Sequence, residues 1–209
     1  MTQLAPPDSA AREAILLAAT ELFAAQGYSG VTIKEIATKA KVNSALLYYY
    51  FEDKEGLYRT VLNELVGSLS RGIGGSLAGS PPTPEEGVRR FVAAQAERFA
   101  ANKAFSRLVL RELFDAGTVR LETPMHAVVT NALTPLMELI KAGQRSGVFR
   151  ADVDPRFAVI STVAQVAYFT LAQPLVADLM GHPLPVPVET SRAFGTHAAE
   201  FVIRALRAS

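Results

Sequence analysis

Between Asn43 and Phe51 the chain reads Asn-Ser-Ala-Leu-Leu-Tyr-Tyr-Tyr-Phe, gathering an amide, a hydroxyl, three phenols and several apolar side chains on one short segment. Such groups exchange hydrogen bonds, stack and pack, so they suit recognition of a surface. Bond-breaking chemistry is hard to assemble from the same chain. The absence of cysteine removes a thiolate nucleophile, a disulfide framework and a thiolate zinc site, and fits a reducing compartment. His126, His182 and His197 stand singly, without metal-ligand spacing, and the chain has neither a Gly-x-Ser-x-Gly turn nor a glycine-rich phosphate loop. The expectation is a protein that is not an enzyme and needs no metal or cofactor.

The aromatic segment follows no single apolar face. Successive helical residues are turned by about 100°, so Leu47 and Phe51 share a core-facing side that Tyr48, Tyr49 and Tyr50 cannot all join. Phenols must therefore project outward.

The elements around the segment can be read from their ends. Asp8 and Ser9 are helix-capping types, and Ile15, Ala19, Leu22 and Phe23 then fall at helical spacing until Gly27 terminates the run. In Val31-Thr32-Ile33-Lys34-Glu35-Ile36, Thr32 and Glu35 form a capping-box pair, and Val31 and Ile36 stand where a hydrophobic staple sits. This second helix runs to Lys39 or Ala40, and Asn43 caps a third. Two short helices joined by a tight turn, with Ile36, Ala37, Val42 and Leu47 at the crossing, make a helix-turn-helix. Asp53 caps a fourth helix, in which Leu57, Val61, Leu65 and Leu69 recur every fourth residue.

At these residues the chain resembles the TetR family of transcriptional regulators. The resemblance rests on Val31-Thr32-Ile33-Lys34-Glu35-Ile36-Ala37, Ala40-Lys41-Val42, Leu47-Tyr48-Tyr49-Tyr50-Phe51 and Asp53-Lys54-Glu55-Gly56-Leu57. It departs from the family pattern at Lys41, where the turn usually holds glycine, at Ala45-Leu46, where the reading helix usually holds Gly-Thr, and at Tyr50, often histidine. Lys41 is thus expected to take positive φ at a cost of about 1 kcal/mol. The resemblance implies that the third helix enters a DNA major groove. Asn43 and Ser44 would then offer hydrogen bonds, Ala45 and Leu46 would meet thymine methyls, and Tyr48 would pack on sugar or base. A phosphate clamp is expected from Thr32, Tyr49, Tyr50 and Lys54, with Lys34 near the groove edge.

The rest of the chain reads as helices: Glu85 to about Asn102, Ala104 to Ala116, a pair punctuated by Pro124 and Pro135 and running to Ser146, Pro155 to about Met180, and Val188 to Ala208. The residues 67–84 thin into glycine, serine and proline, and the proline-rich residues 181–187 cannot be helical. The fold class is all-α, an N-terminal three-helix helix-turn-helix domain followed by a larger helical ligand-binding and dimerisation domain, with boundaries expected at 1–55 and 56–209. On the Glu85 helix Gln95 lies among Val88, Phe91 and Phe99, and on the next helix Glu112 projects among Phe105, Leu108 and Val109. Inward polar groups on apolar faces are costly unless satisfied, and a ligand is one way to satisfy them. The candidate ligand residues are Gln95, Phe99, Phe105, Leu108, Glu112, Met125, His126, Met137, Gln165 and Phe169, and the ligand expected is small and largely apolar.

The residues 157–177 carry no charge and could span a bilayer by length, but Ser161, Thr162, Gln165, Thr170, Gln173 and Pro174 argue for a helix packed on two sides. No membrane partner and no secretory signal are expected, and the cytoplasm is the default location. With Phe194, Ala198, Phe201, Val202 and Ala205 along one stripe, the helices 155–180 and 188–208 are expected to pair with a second copy. The net charge of +1 supplies no bulk attraction to DNA, so affinity must come from placed contacts doubled by symmetry. The function expected is a homodimeric regulator that binds a palindromic operator and is released from it by a ligand. The alternatives are a helix-turn-helix regulator without an effector and an all-α carrier of lipophilic molecules.

Overall fold

The computed structural model describes residues 9–79, 81, 83–101, 108 and 126–208. The described helices are α1 (Ser9–Gln26), α2 (Ile33–Ala40), α3 (Ser44–Phe51), α4 (Lys54–Gly74), α5 (Pro84–Ala101), α6 (Thr134–Arg145), α7 (Pro155–Leu171), α8 (Gln173–Met180) and α9 (Val188–Leu206). A π-helical turn, Val129–Leu133, leads into α6, and one antiparallel bridge joins Phe149 to Arg207. Among the described residues there is no other β-structure. Asp8 and the helix expected over 104–116 lie outside the described residues, Leu108 excepted.

The chain divides into two compact units, with the break in the first part of the chain between Val66 and Gly67. In the first unit, Ile15, Ala19 and Phe23 of α1 are buried with Val31, Ile36, Ala37, Leu47, Phe51, Leu57 and Tyr58. Chain ends and turns follow local chemistry. Gly27 takes φ 76° and returns its N–H to the Phe23 carbonyl. Lys41 takes the left-handed conformation (φ 57°, ψ 41°) and closes α2 through the Ala37 and Thr38 carbonyls. Glu52 also has positive φ, 64°, and ends α3 by donating to Tyr48 O. Asp53 Oδ1 accepts the Gly56 N–H at 2.7 Å, opening α4. Gly56 is required there, because a Cβ would sit 2.2 Å from the Phe51 carbonyl oxygen.

On α4 the large buried apolar side chains are Leu57, Tyr58, Val61, Leu62, Val66, Leu69 and Ile73, and Leu65 is only half-buried. A strict four-residue repeat drifts by about 40° per step on a 3.6-residue helix, so Leu65 leaves the face of the first unit and Val66 takes its place, while Leu69 lies beyond the break and is buried in the second unit.

In the second unit α5 runs antiparallel to α9. Glu85 pairs with Arg207 at 2.6 Å, Arg89 with Glu200 at 2.6 Å, and Glu97 with Arg192 at 3.2 Å. Between them Gly195 lets the helices close, since a Cβ there would lie 2.8 Å from that of Ala96. Two expectations are corrected here. The residues 155–180 do not form one helix: α7 stops at Leu171, and α8 departs at 80°. Pro174 has no N–H to continue the ladder, and its ring conflicts with the Thr170 carbonyl, so the chain restarts at Ala172 with proline in the first turn of α8. The α9 stripe also splits. Ala198 and Val202 are buried within the unit, Phe194 stacks on Phe169 with centroids 4.3 Å apart, and Phe201 and Ala205 face outward. Among the described residues no single helix is long and apolar enough to cross a membrane.

Candidate DNA-recognition site

The recognition segment separates into two surfaces. Leu47 and Phe51 are buried, whereas Tyr48 is 55% and Tyr49 78% exposed. Asn43 and Ala45 are exposed, and Ser44, Leu46 and Tyr50 are half-buried. Asn43 Oδ1 accepts the Ala45 N–H at 2.9 Å, a cap made by the oxygen of the amide and not by its NH2 group. The Tyr49 ring meets Tyr50 edge-on at 5.0 Å between centroids, and Tyr50 meets Phe51 at 6.1 Å. Tyr49 is therefore held through a chain of rings to the core while its own surface stays open.

At the start of α2 the capping box is complete. Thr32 Oγ1 accepts the Glu35 N–H at 3.2 Å and donates to Glu35 Oε2 at 2.7 Å, and the Thr32 N–H donates to the same carboxylate oxygen at 2.7 Å. Both donors of Thr32, a residue expected to hold a phosphate, are thus engaged: the N–H as the capping box implies, and the hydroxyl in a further bond that the sequence did not disclose. The amides of Ile33 and Lys34 are the first-turn donors that the box does not use. Hydrogen bonds from Thr32, and after them the charge of Lys54, hold the Glu35 carboxyl below its ordinary range.

Lys54 begins α4, and its ammonium lies over the ring of Tyr28, 4.3 Å from the centroid. Lys34 is exposed, and Lys39 is paired with Glu21 at 2.8 Å. Two cations, Lys34 and Lys54, therefore flank the start of α2 and α4, and Tyr28 is a member of the site that spacing did not reveal. The only signal available was its aromatic type.

The ligand candidates gather less well. Gln95 is buried at 3% exposure, donates Nε2 to the Val163 carbonyl at 3.0 Å, and among the described residues its Oε1 has no hydrogen-bond donor. Phe99 is half-buried, and Leu108 and Phe169 are buried. Gln165 is half-buried and returns Nε2 to Ser161 O at 3.2 Å. His126 is on the surface, and Met137 lines an open cleft of about 650 Å³ with Lys141, Gln144, the residues 151–154 and the first residues of α7, so these two are not brought to Gln95. Phe105, Glu112 and Met125 lie outside the described residues.

Comparison with known proteins agrees with this geometry. Residues 15–61 match the family described as bacterial regulatory proteins, tetR family, and residues 84–202 match the tetracyclin repressor-like C-terminal domain. The chain is 31% identical over 175 residues to the HTH-type transcriptional repressor NicS of Pseudomonas putida, covering 80% of this chain and 82% of that one. It is 25% identical over 181 residues to the HTH-type transcriptional repressor DhaR of a Mycobacterium species, covering 87% and 84%. In fold it is similar to the fatty acid degradation regulator FadR from Bacillus halodurans, with TM-score 0.73, 21% identity, and 93% of this chain and 99% of that one covered. It is likewise similar to the TetR family transcriptional regulator PfmR from Thermus thermophilus, with TM-score 0.71, 22% identity, and 91% and 97% covered. These relatives are regulators of transcription and not enzymes, and the chain belongs to the TetR family, as a DNA-binding transcriptional regulator built on an N-terminal helix-turn-helix.

Proposed function

We propose that this regulator is a repressor that binds a palindromic operator as a homodimer and leaves it when a small, largely apolar ligand occupies the C-terminal helices. The observation that carries the ligand reading is Gln95, a buried amide whose carbonyl has no donor among the described residues. An unsatisfied buried acceptor costs about 1–3 kcal/mol, and a ligand with one hydrogen-bond donor on an apolar body recovers that cost. Repression, rather than activation, is supported by NicS and DhaR, both repressors.

On the DNA side the reading assigns Asn43, Ser44, Ala45, Leu46 and Tyr48 to base edges and sugars, and Tyr49, Lys34, Lys54 and the α2 amides beside Thr32 to phosphates. Two copies are needed to reach successive major grooves. The outward Phe157, Ile160 and Tyr168 of α7 and Phe201 of α9 support pairing through these helices. Residues 1–55 then act as the reader and residues 56–209 as sensor and dimer core. Helix α4, continuous from Lys54 to Gly74, is the covalent link through which ligand occupancy biases the spacing of the readers. Such a protein works in the cytoplasm, where its operator is.

The test joins two measurements. A gel shift on the DNA flanking its own coding region is expected to weaken with Tyr49→Phe and with Lys54→Ala. Undiminished binding by both would remove the clamp assignment. A thermal-shift screen of hydrophobic compounds, with and without a hydroxyl or amide N–H, is expected to favour the donor-bearing ones and to lose that preference in Gln95→Leu. If no compound raises the melting temperature and none releases the DNA, the sensor reading fails.

A further inference from the structure

We propose that Tyr28 is a positioning residue for operator binding: its ring holds the Lys54 ammonium where a DNA phosphate is met. The inference rests on the assignment of Lys54 to the phosphate clamp. A lysine on a flexible stem loses rotamer freedom whenever it is fixed on a phosphate, and that loss subtracts from affinity. A group that fixes it beforehand removes the loss. The Tyr28 ring is placed to do this, because its negative π face lies 4.3 Å beneath Nζ, within the range of a cation–π contact.

The ring itself is anchored. Its centroid is 5.0 Å from that of Tyr58 and 6.2 Å from that of Phe23, and those two rings, both fully buried, meet edge to face at 4.7 Å. Tyr28 is thus the half-buried end of an aromatic trio whose other members belong to the core of the first unit. A π face, unlike a carboxylate, attracts the ammonium without neutralising it or taking up its hydrogen-bond geometry, so the charge stays available to an incoming anion.

The experiment is a double-mutant cycle on the full-length protein, read as affinity for the duplex flanking its own coding region. A duplex of arbitrary sequence at low salt is the second probe, where phosphate contacts alone supply the binding. Lys54→Ala is expected to weaken both and to reduce the slope of log affinity against log salt by about one per protomer. Tyr28→Leu, which keeps apolar bulk in the trio, is expected to weaken binding about 3-fold per protomer, and Tyr28→Phe, which keeps the ring, to leave it near the native level. In the Lys54→Ala background Tyr28→Leu is expected to cost no further affinity, although it still lowers the melting temperature through the aromatic trio. Equal losses of affinity in both backgrounds, or no loss from Tyr28→Leu where Lys54→Ala weakens binding, overturn the positioning role and leave the clamp intact. No loss from Lys54→Ala overturns the clamp assignment, and the positioning role with it.

Discussion

At the scale of single residues, the helix-turn-helix is held by side chains that close backbone ends, and these make sharp predictions. Thr32→Ala removes an N-cap and is expected to lower stability by about 1 kcal/mol, measured by denaturant unfolding. The partner carboxylate adds a pH dependence. Glu35 has a folded pKa below the usual 4.5, so its contribution is full above that value and is lost as pH falls through the lower folded value. A melting-temperature series from neutral pH downward should show this loss, and Glu35→Gln should flatten it. Asp154, the N-cap of α7, follows the same sign further down, since the bonds from Arg156 lower its carboxyl to about 2. In the second unit, Gln95→Leu is expected to melt no lower than the native protein without ligand, because it removes an unpaired acceptor while the Val163 carbonyl keeps its place in α7. A clear drop in melting temperature would mean that the carbonyl of Gln95 is satisfied after all.

At the scale of elements, local signals were legible and distant ones were not. Thr32 with Glu35, Asn43, Asp53 and Gly27 announce helix ends because capping acts within a few residues, and the left-handed Lys41 was expected from the resemblance, which puts glycine at that turn. The contact of Tyr28 with Lys54 joins residues that only the fold brings together, so no spacing encodes it. The break at Ala172 was concealed by composition: an uncharged apolar run reads as one helix, and Pro174 is tolerated in the first turn of a new helix as well as punishing in an old one. The α9 stripe misled because Ala198 and Phe201 are both apolar, and hydropathy does not say which neighbour each meets. Packing of α9 on α5 depends instead on a small residue. Gly195→Ala is expected to cost about 1–3 kcal/mol, since the added methyl meets Ala96 at 2.8 Å. The cost should shrink in the Ala96→Gly background, and equal costs in both would place the strain elsewhere.

At the scale of the whole molecule, a net charge of +1 contributes little long-range attraction, so the proposed reading places the affinity in two copies bound together. Phe157→Glu combined with Phe201→Glu, on outward faces of α7 and α9, is expected to give monomers by analytical ultracentrifugation. Operator affinity should then fall about 100-fold or more, because the second half-site is no longer delivered at high effective concentration. A variant that stays dimeric with native affinity would move the interface to other helices. The division of labour within α3 has a consequence for how such a regulator changes its target. The fold leans on Leu47 and Phe51, while Asn43, Ala45 and Tyr48 stand in the open and Leu46 half so. Substitutions at 45, 46 and 48 can accumulate with little penalty to folding, so a duplicated copy of this gene could drift to a new operator while keeping its sensor, and a library confined to those three positions is the direct way to retarget it.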